Sequence, residues 1–179
     1  MSWKENIIEL EHNANWPQAV QLIQSIVKEY PNDVEAYIRA IYLLHNILVE
    51  KDYSESQHDF LASLLKSYFE ISYQKFSGNA EYLFFVGKIL YIAEWYFGLD
   101  DDFKPMEERR AFQMQKKAHE MEKENKLYEW AYRFSIGDNL STCLAEQILL
   151  KDKTTLKWLK LKGFPGEYIL DALKRNAIR

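Results

Sequence analysis

The chain has 179 residues, 47% of them apolar or aromatic, and a formal net charge of −4. These values exclude a disordered chain and predict a single domain, residues 1–179, with a substantial core. The charge is unevenly spread. Residues 1–102 contain 16 Asp and Glu against 7 Lys and Arg, whereas residues 103–179 contain 11 Asp and Glu against 16 Lys and Arg. We therefore expect an acidic helical half and a second helical half that ends in a basic segment.

Three amphipathic helices are predicted in the N-terminal part of the chain. The first runs from Trp3 to Asn13. The second restarts at Pro17, a residue favoured in a first helical turn, and ends at Pro31. The third opens at Asp33. Apolar residues recur along these segments with the helical spacing of three and four residues.

This part of the chain resembles the tetratricopeptide repeat, a helix pair that recurs about every 34 residues. Trp3 matches the early aromatic residue of the repeat, and Tyr37 stands 34 residues later. The second-helix positions of the repeat are matched at the usual spacings by Ala19, Ile23, Ile26 and Pro31. The chain departs from the family at Asn6 and Ile7, which replace a Leu-Gly pair. A further partial match to the repeat occurs at Asn79–Tyr82. Tyr82 lies 45 residues after Tyr37, which is eleven more than the repeat length, so the second repeat must be longer than usual.

A long helix from Tyr53 to Phe76, with Ser54 as its cap, is predicted to supply that length. We expect its inward face to carry seven aromatic and aliphatic residues: Phe60, Leu61, Leu64, Leu65, Tyr68, Phe69 and Tyr73.

The run from Tyr82 to Phe97 is expected to be the buried central helix. Thirteen of its sixteen residues are apolar or aromatic, and only Gly87, Lys88 and Glu94 interrupt it. A helix that is apolar on every side has no face for water, so the other helices should pack around it. The run is too short to span a bilayer.

The rest of the chain is predicted to form five further helices. The first begins at Pro105 and continues to about Lys126 on a thin apolar stripe of Ala111, Met114, Ala118 and Met121. The others cover residues 127–136, a segment carrying Leu140, Cys143, Leu144 and Ile148, and residues 154–162 and 165–176. No credible strand is present, so the fold class is all-α: about ten helices, arranged as degenerate tetratricopeptide-like antiparallel pairs in a short superhelical array.

Two charged segments suggest partners. Asp100, Asp101 and Asp102 lack the spacing of a calcium loop, which leaves either a solvated loop or an acidic patch that faces a partner. The segment from Lys151 to Lys162 mixes lysines with Trp158. Such a mix suits nucleic acid or a membrane surface, but a capping helix with a solvated side explains it equally simply.

Catalytic chemistry has little support. The four histidines are scattered, and the sequence contains no phosphate-binding glycine loop and no paired cysteines. Cys143 lies on an apolar stripe and is predicted to be a buried packing thiol. A single cysteine and an N-terminus without a signal-peptide stretch fit the cytoplasm. We therefore expect no enzyme activity, no cofactor and no metal.

The resemblance to the repeat family implies a binding groove, because such proteins hold partners on the first helix of each pair. Carried onto this chain, the groove residues are Glu11, His12, Glu35, Tyr42, His45, Asn46, Glu81 and Tyr91. With Asp100, Asp101 and Asp102, they form the predicted partner-binding set.

Three functions compete. Size, acidity and the lack of catalytic groups resemble the immunity proteins of bacterial contact-dependent toxin systems, which implies a cytoplasmic inhibitor that covers the active site of a basic toxin, such as a nuclease domain. The alternative is a tetratricopeptide-type secretion chaperone or adaptor that holds an extended peptide. The third is an enzyme or RNA binder that uses Lys151–Lys162. We favour the first, with a basic protein as partner and no direct contact with nucleic acid or membrane; weak self-association is left open.

Overall fold

A computed structural model describes residues 2–51, 54–101 and 103–178. Within these ranges the chain forms ten α-helices and no strand, which confirms the all-α class. The helices are α1 (Trp3–His12), α2 (Trp16–Glu29), α3 (Val34–Glu50), α4 (Glu55–Phe76), α5 (Ala80–Ile89), α6 (Arg110–Met121), α7 (Lys126–Ser135), α8 (Leu140–Lys151), α9 (Lys153–Leu161) and α10 (Phe164–Ala177). Short 3-10 turns cover Glu94–Phe97 and Met106–Glu108.

The chain forms two compact units, which interleave in sequence. Unit 1 comprises residues 1–77 and 92–100, and unit 2 comprises residues 78–91 and 101–179. This division differs from the expected halves on either side of residue 102, because α5 belongs to the second unit.

Unit 1 is built on α3. Each of its four helices packs on the next along the chain, and 13 of the 17 residues of α3 are buried. The predicted start signals act as expected: the Asp33 carboxylate accepts the N–H groups of Glu35 and Ala36, and Ser54 forms a capping box with Gln57. The sequential packing is compatible with helix pairs, and the tetratricopeptide resemblance stays a prediction.

Unit 2 is built on α5, of which nine of ten residues are buried. This helix packs mainly on α6, where the buried Gln115 donates from Nε2 to the carbonyl oxygen of Phe84 at 2.8 Å. The rings of Phe84 and Tyr128 lie 4.9 Å apart, and those of Phe85 and Trp158 lie 5.5 Å apart. Aromatic packing from α7 and α9 therefore encloses the helix.

The predicted helix from Tyr82 to Phe97 is wrong in its second half. The helix ends at Ile89, and the chain turns before the 3-10 turn Glu94–Phe97. Ala93 adopts a left-handed conformation with φ of 52°, which an α-helix cannot contain. The apolar run thus forms two elements, one in each unit, and its apolar content carried no signal for the break between them.

Four smaller expectations also fail. Phe60 is 54% exposed, because the buried side of α4 is formed by Leu61, Leu65 and Phe69, and Phe60 lies about 100° around the helix from Leu61. Met121, the last residue of α6 and of the predicted apolar stripe, is 45% exposed.

Two of these expectations concern later helices. The helix expected at Pro105 starts only at Arg110, because Arg109 has an extended backbone conformation. Cys143 is exposed rather than buried, since α8 turns Ala145 and Ile148 inward instead.

Candidate functional site

Glu35, one of the carboxylates of the predicted groove, forms ion pairs within unit 1. It is 9% exposed, and its two carboxylate oxygens bind Lys4 Nζ at 2.7 Å and Arg39 at 3.1 Å. Arg39 is fully buried and also lies over the Trp3 ring, 5.7 Å from its centroid. Glu35 therefore balances a buried cation and is not displayed to a partner, which corrects its predicted role.

The other α3 residues of the predicted groove are also turned into the core. Tyr42 is 0% exposed, so its side chain does not line an open groove in this structure. His45 is buried, and its Nε2 lies 2.7 Å from the carbonyl oxygen of Ile92. Burial lowers the pKa of His45, while the bond to Ile92 acts in the opposite direction. Asn46 is half-buried.

The α1 positions lie nearer the surface. Glu11 is half-buried and His12 is exposed at the end of the helix. Of the predicted groove residues in unit 1, His12 is thus the one that is exposed.

In unit 2, Glu81 is engaged by the basic segment. Lys162 Nζ lies 2.6 Å from a Glu81 carboxylate oxygen and over the Trp158 ring, 5.1 Å from its centroid. Trp158 is half-buried, and its ring packs on that of Phe85 in unit 2. The exposed lysines of this segment are Lys151, Lys153, Lys157 and Lys160. The segment thus has a solvated side of lysines and a side that packs within unit 2, and both interpretations that the sequence left open stay predictions.

The aspartate triplet does not act as one patch. Asp100 is exposed and Asp102 lies outside the described residues. Asp101 is 6% exposed, and it accepts Lys104 Nζ at 2.7 Å and the N–H of Arg110 at 2.6 Å. Burial alone would raise the pKa of Asp101, but the bonds from Lys104 and Arg110 outweigh it and hold the pKa below its usual value. Asp101 caps α6 and is unsuited to binding a partner.

Tyr91 remains at the surface of unit 2, with 40% of its area exposed. Partial burial of the ring raises the pKa of Tyr91, while a hydrogen bond with Ser135 and the charge of Arg109 oppose the rise. The predicted set thus divides between the units: Tyr91, Glu81 and Asp101 in unit 2, and the other described residues in unit 1.

A surface of unit 1 that the sequence prediction missed is centred on Trp95. This side chain is 63% exposed, and its ring lies 5.8 Å from that of Tyr96. The Tyr96 hydroxyl lies 2.9 Å from His58 Nε2, and His58 Nδ1 lies 3.7 Å from an Asp59 carboxylate oxygen. We call Trp95, Tyr96, His58 and Asp59 the Trp95 surface. The signal in the sequence is the dense aromatic run from Tyr82 to Phe97, which by itself predicts a buried helix rather than an exposed side chain.

Charge is segregated between the units. Unit 1 contains 13 Asp and Glu against 6 Lys and Arg, a net charge of −7, whereas unit 2 contains 14 against 17, a net charge of +3. In the described part of unit 1, eight carboxylates are exposed: Glu5, Glu9, Glu29, Glu50, Glu55, Asp59, Glu70 and Asp100. Four exposed amino groups stand against them: Lys28, Lys51, Lys66 and Lys75.

The described ranges show no arrangement of three or more His, Cys, Asp or Glu side chains that could hold a metal ion. Over the same residues, no helix combines the length and apolar character needed to cross a membrane. Comparison with known proteins finds no matching family model, no matching curated protein and no matching solved structure.

Proposed function

We propose that this protein is a cytoplasmic inhibitor of the immunity type, which binds a basic toxin domain, such as a nuclease, and covers its active site. The observation that carries the proposal is the net charge of −7 on unit 1, displayed on eight exposed carboxylates. A nuclease cleft that holds phosphates is cationic, and a surface of opposite potential accelerates association and selects the partner. Inhibition by occlusion requires no catalytic group and no cofactor.

Of the described carboxylates that the sequence analysis assigned to partner binding, Asp100 alone belongs to the exposed set of unit 1. Glu35, Glu81 and Asp101 are used inside the fold, so the attraction must come from the exposed set of unit 1. Because charges in solvent act over roughly 8 to 10 Å at physiological salt, this set contributes chiefly to the rate of encounter.

The alternative, a secretion chaperone or adaptor, needs an accessible groove along α3. Tyr42 and His45 are buried at that position, so no specific observation favours this function.

The test is co-expression with a candidate toxin domain, such as one encoded beside this gene, with cell growth as the first readout. We expect protection, and an association rate constant that falls by about tenfold or more when salt is raised from low to well above physiological concentration. The double variant Glu9→Lys/Glu70→Lys should slow association. The matched variant Glu124→Lys/Glu146→Lys makes the same charge change at exposed positions of unit 2 and should slow it less.

Two results would count against the proposal. An association rate that is insensitive both to salt and to the unit 1 variant removes the electrostatic mechanism. A protein that binds an extended peptide but neither binds nor neutralises a toxin domain is a chaperone or adaptor instead.

A further inference from the structure

The exposure of Trp95 is built into the fold of unit 1. Its 3-10 turn is bounded by two left-handed residues, Ala93 with φ of 52° and Gly98 with φ of 72°. Phe97, on the same turn, is 2% exposed and packs on the rings of Phe69 at 5.4 Å and His45 at 5.6 Å. With Phe97 fixed in the core, the turn holds the Trp95 indole toward solvent before any partner arrives.

The neighbours of Trp95, namely Tyr96, His58 and Asp59, are also held in place by the fold of unit 1. The bond between Tyr96 and His58 ties the turn to α4, and Asp59 follows directly on that helix. Asp100 is exposed five residues after Trp95. One cation is close, since the Lys66 side chain runs past Gly98, where a Cβ atom would lie 2.7 Å from its Cε.

The Trp95 surface therefore combines an exposed indole with one exposed carboxylate, Asp59, and the exposed Asp100 follows five residues after Trp95 along the chain. Tryptophan attracts cations to its ring face more strongly than other aromatic residues, and arginine is the usual partner because its planar guanidinium stacks. A guanidinium stacked on an indole can also pair with a carboxylate through two hydrogen bonds. Lysine carries the same charge but lacks both the plane and the paired donors.

We propose that the Trp95 surface is a docking site for an arginine side chain of a basic protein partner, stacked on Trp95 and paired with Asp59 or Asp100. This inference rests on the proposed function for the class of partner, and it adds the chemistry that holds the complex together. The exposed carboxylates of unit 1 set the rate of association, and Trp95 sets the rate of dissociation. Exposed tryptophans that become desolvated in a complex are frequent hot spots.

The direct test uses a fluorescently labelled nona-arginine peptide and a nona-lysine peptide of equal length as probes. We expect the full-length protein to bind the arginine peptide several-fold more tightly. Trp95→Ala should weaken that binding by about tenfold, equivalent to about 1.4 kcal/mol. Phe60→Ala is the matched control, because Phe60 is a comparably exposed aromatic residue of unit 1 on another side of α4, and it should leave the affinity unchanged.

A second pair of variants isolates the carboxylates. Asp59→Asn/Asp100→Asn should weaken arginine-peptide binding more than Glu9→Gln/Glu70→Gln, which removes the same charge from other exposed sites of unit 1. Equal losses in the two pairs, or equal affinity for the two peptides, would reduce the effect to overall charge and overturn the inference.

The toxin complex separates this inference from the proposed function. If the toxin domain binds the parent protein and Trp95→Ala with the same dissociation rate, the docking site is refuted while the inhibitor function stands. If the arginine peptide requires Trp95 but no toxin domain is bound, the inhibitor function fails and the docking chemistry stands. If the protein alone is a dimer that Trp95→Ala converts to a monomer, the surface belongs to a second copy and the inference is overturned.

Discussion

Lys88 offers a sharp test of the packing of unit 2. It lies on α5, is 5% exposed, and its Nζ sits 3.7 Å from the ring centroid of Phe134 and 4.6 Å from that of Trp130. Among the described residues, no carboxylate forms an ion pair with it. Burial lowers the pKa of Lys88 from its ordinary value of 10.5 to about 7.

The sign of the effect on stability follows from proton binding. Between pH 7 and pH 10 the unfolded chain holds a proton on Lys88 that the folded protein has largely released, so raising the pH favours the folded state. With these two pKa values, the free energy of unfolding should rise by about 2 kcal/mol between pH 7 and pH 9. The two aromatic rings favour the ammonium form and act to reduce this figure.

The perturbation is Lys88→Met, which keeps an unbranched side chain and removes the charge. At pH 7 we expect the variant to be more stable than the parent by roughly 2 kcal/mol or more, with the difference shrinking as the pH rises. Lys157→Met, at an exposed position, controls for the loss of a lysine. Urea unfolding followed by far-UV circular dichroism at pH 7, 8 and 9 measures each difference.

The reasoning is refuted if Lys88→Met is less stable than the parent at pH 7, or if the difference between them is constant across these pH values. Either result would mean that burial does not disfavour the ammonium form of Lys88 in the folded protein at neutral pH.

Three further substitutions test separate features by thermal or urea unfolding. Asp101→Ala should destabilise by about 1 kcal/mol through loss of the α6 cap, whereas Asp100→Ala should be nearly neutral because that carboxylate is exposed. Gly166→Ala should destabilise strongly, since the added Cβ would overlap a backbone carbonyl, while Gly78→Ala, with open space around it, serves as the control. Phe85→Ala should cost about 3 to 5 kcal/mol by leaving a cavity, and a parent-like melting curve would contradict the burial of α5.

Helix positions were predictable from this sequence because their signals are local. The caps at Asp33, Ser54 and Asn79 mark helix starts within a residue, as side chains that bind nearby backbone N–H groups should. The end of the helix at Ile89, within the apolar run Tyr82–Phe97, was not predictable. It depends on Ala93 adopting a left-handed conformation, which alanine itself does not favour.

The candidate site was harder to predict because the fate of a charged side chain depends on partners far along the chain. Glu35 is paired with Lys4, 31 residues away, and Glu81 with Lys162, 81 residues away. Neither pairing leaves a periodic trace in the sequence. The exposure of Trp95 likewise follows from Phe97 being anchored in the core, since neighbouring residues of a turn point in different directions.

The interleaving of the two units has a consequence for synthesis on the ribosome. The chain passes between units after Ser77, after Tyr91 and after Asp100, so neither unit is a contiguous stretch of the gene. Unit 1 lacks the carbonyl that binds His45, and the ring of Phe97, until α5 has already been made. Helix α5 must in turn wait for α6, whose last residue, Met121, emerges on the order of a few seconds later at usual elongation rates. For that interval the most apolar helix of the protein is a nascent segment without its packing partner, and it is the segment that a ribosome-associated chaperone would be expected to hold.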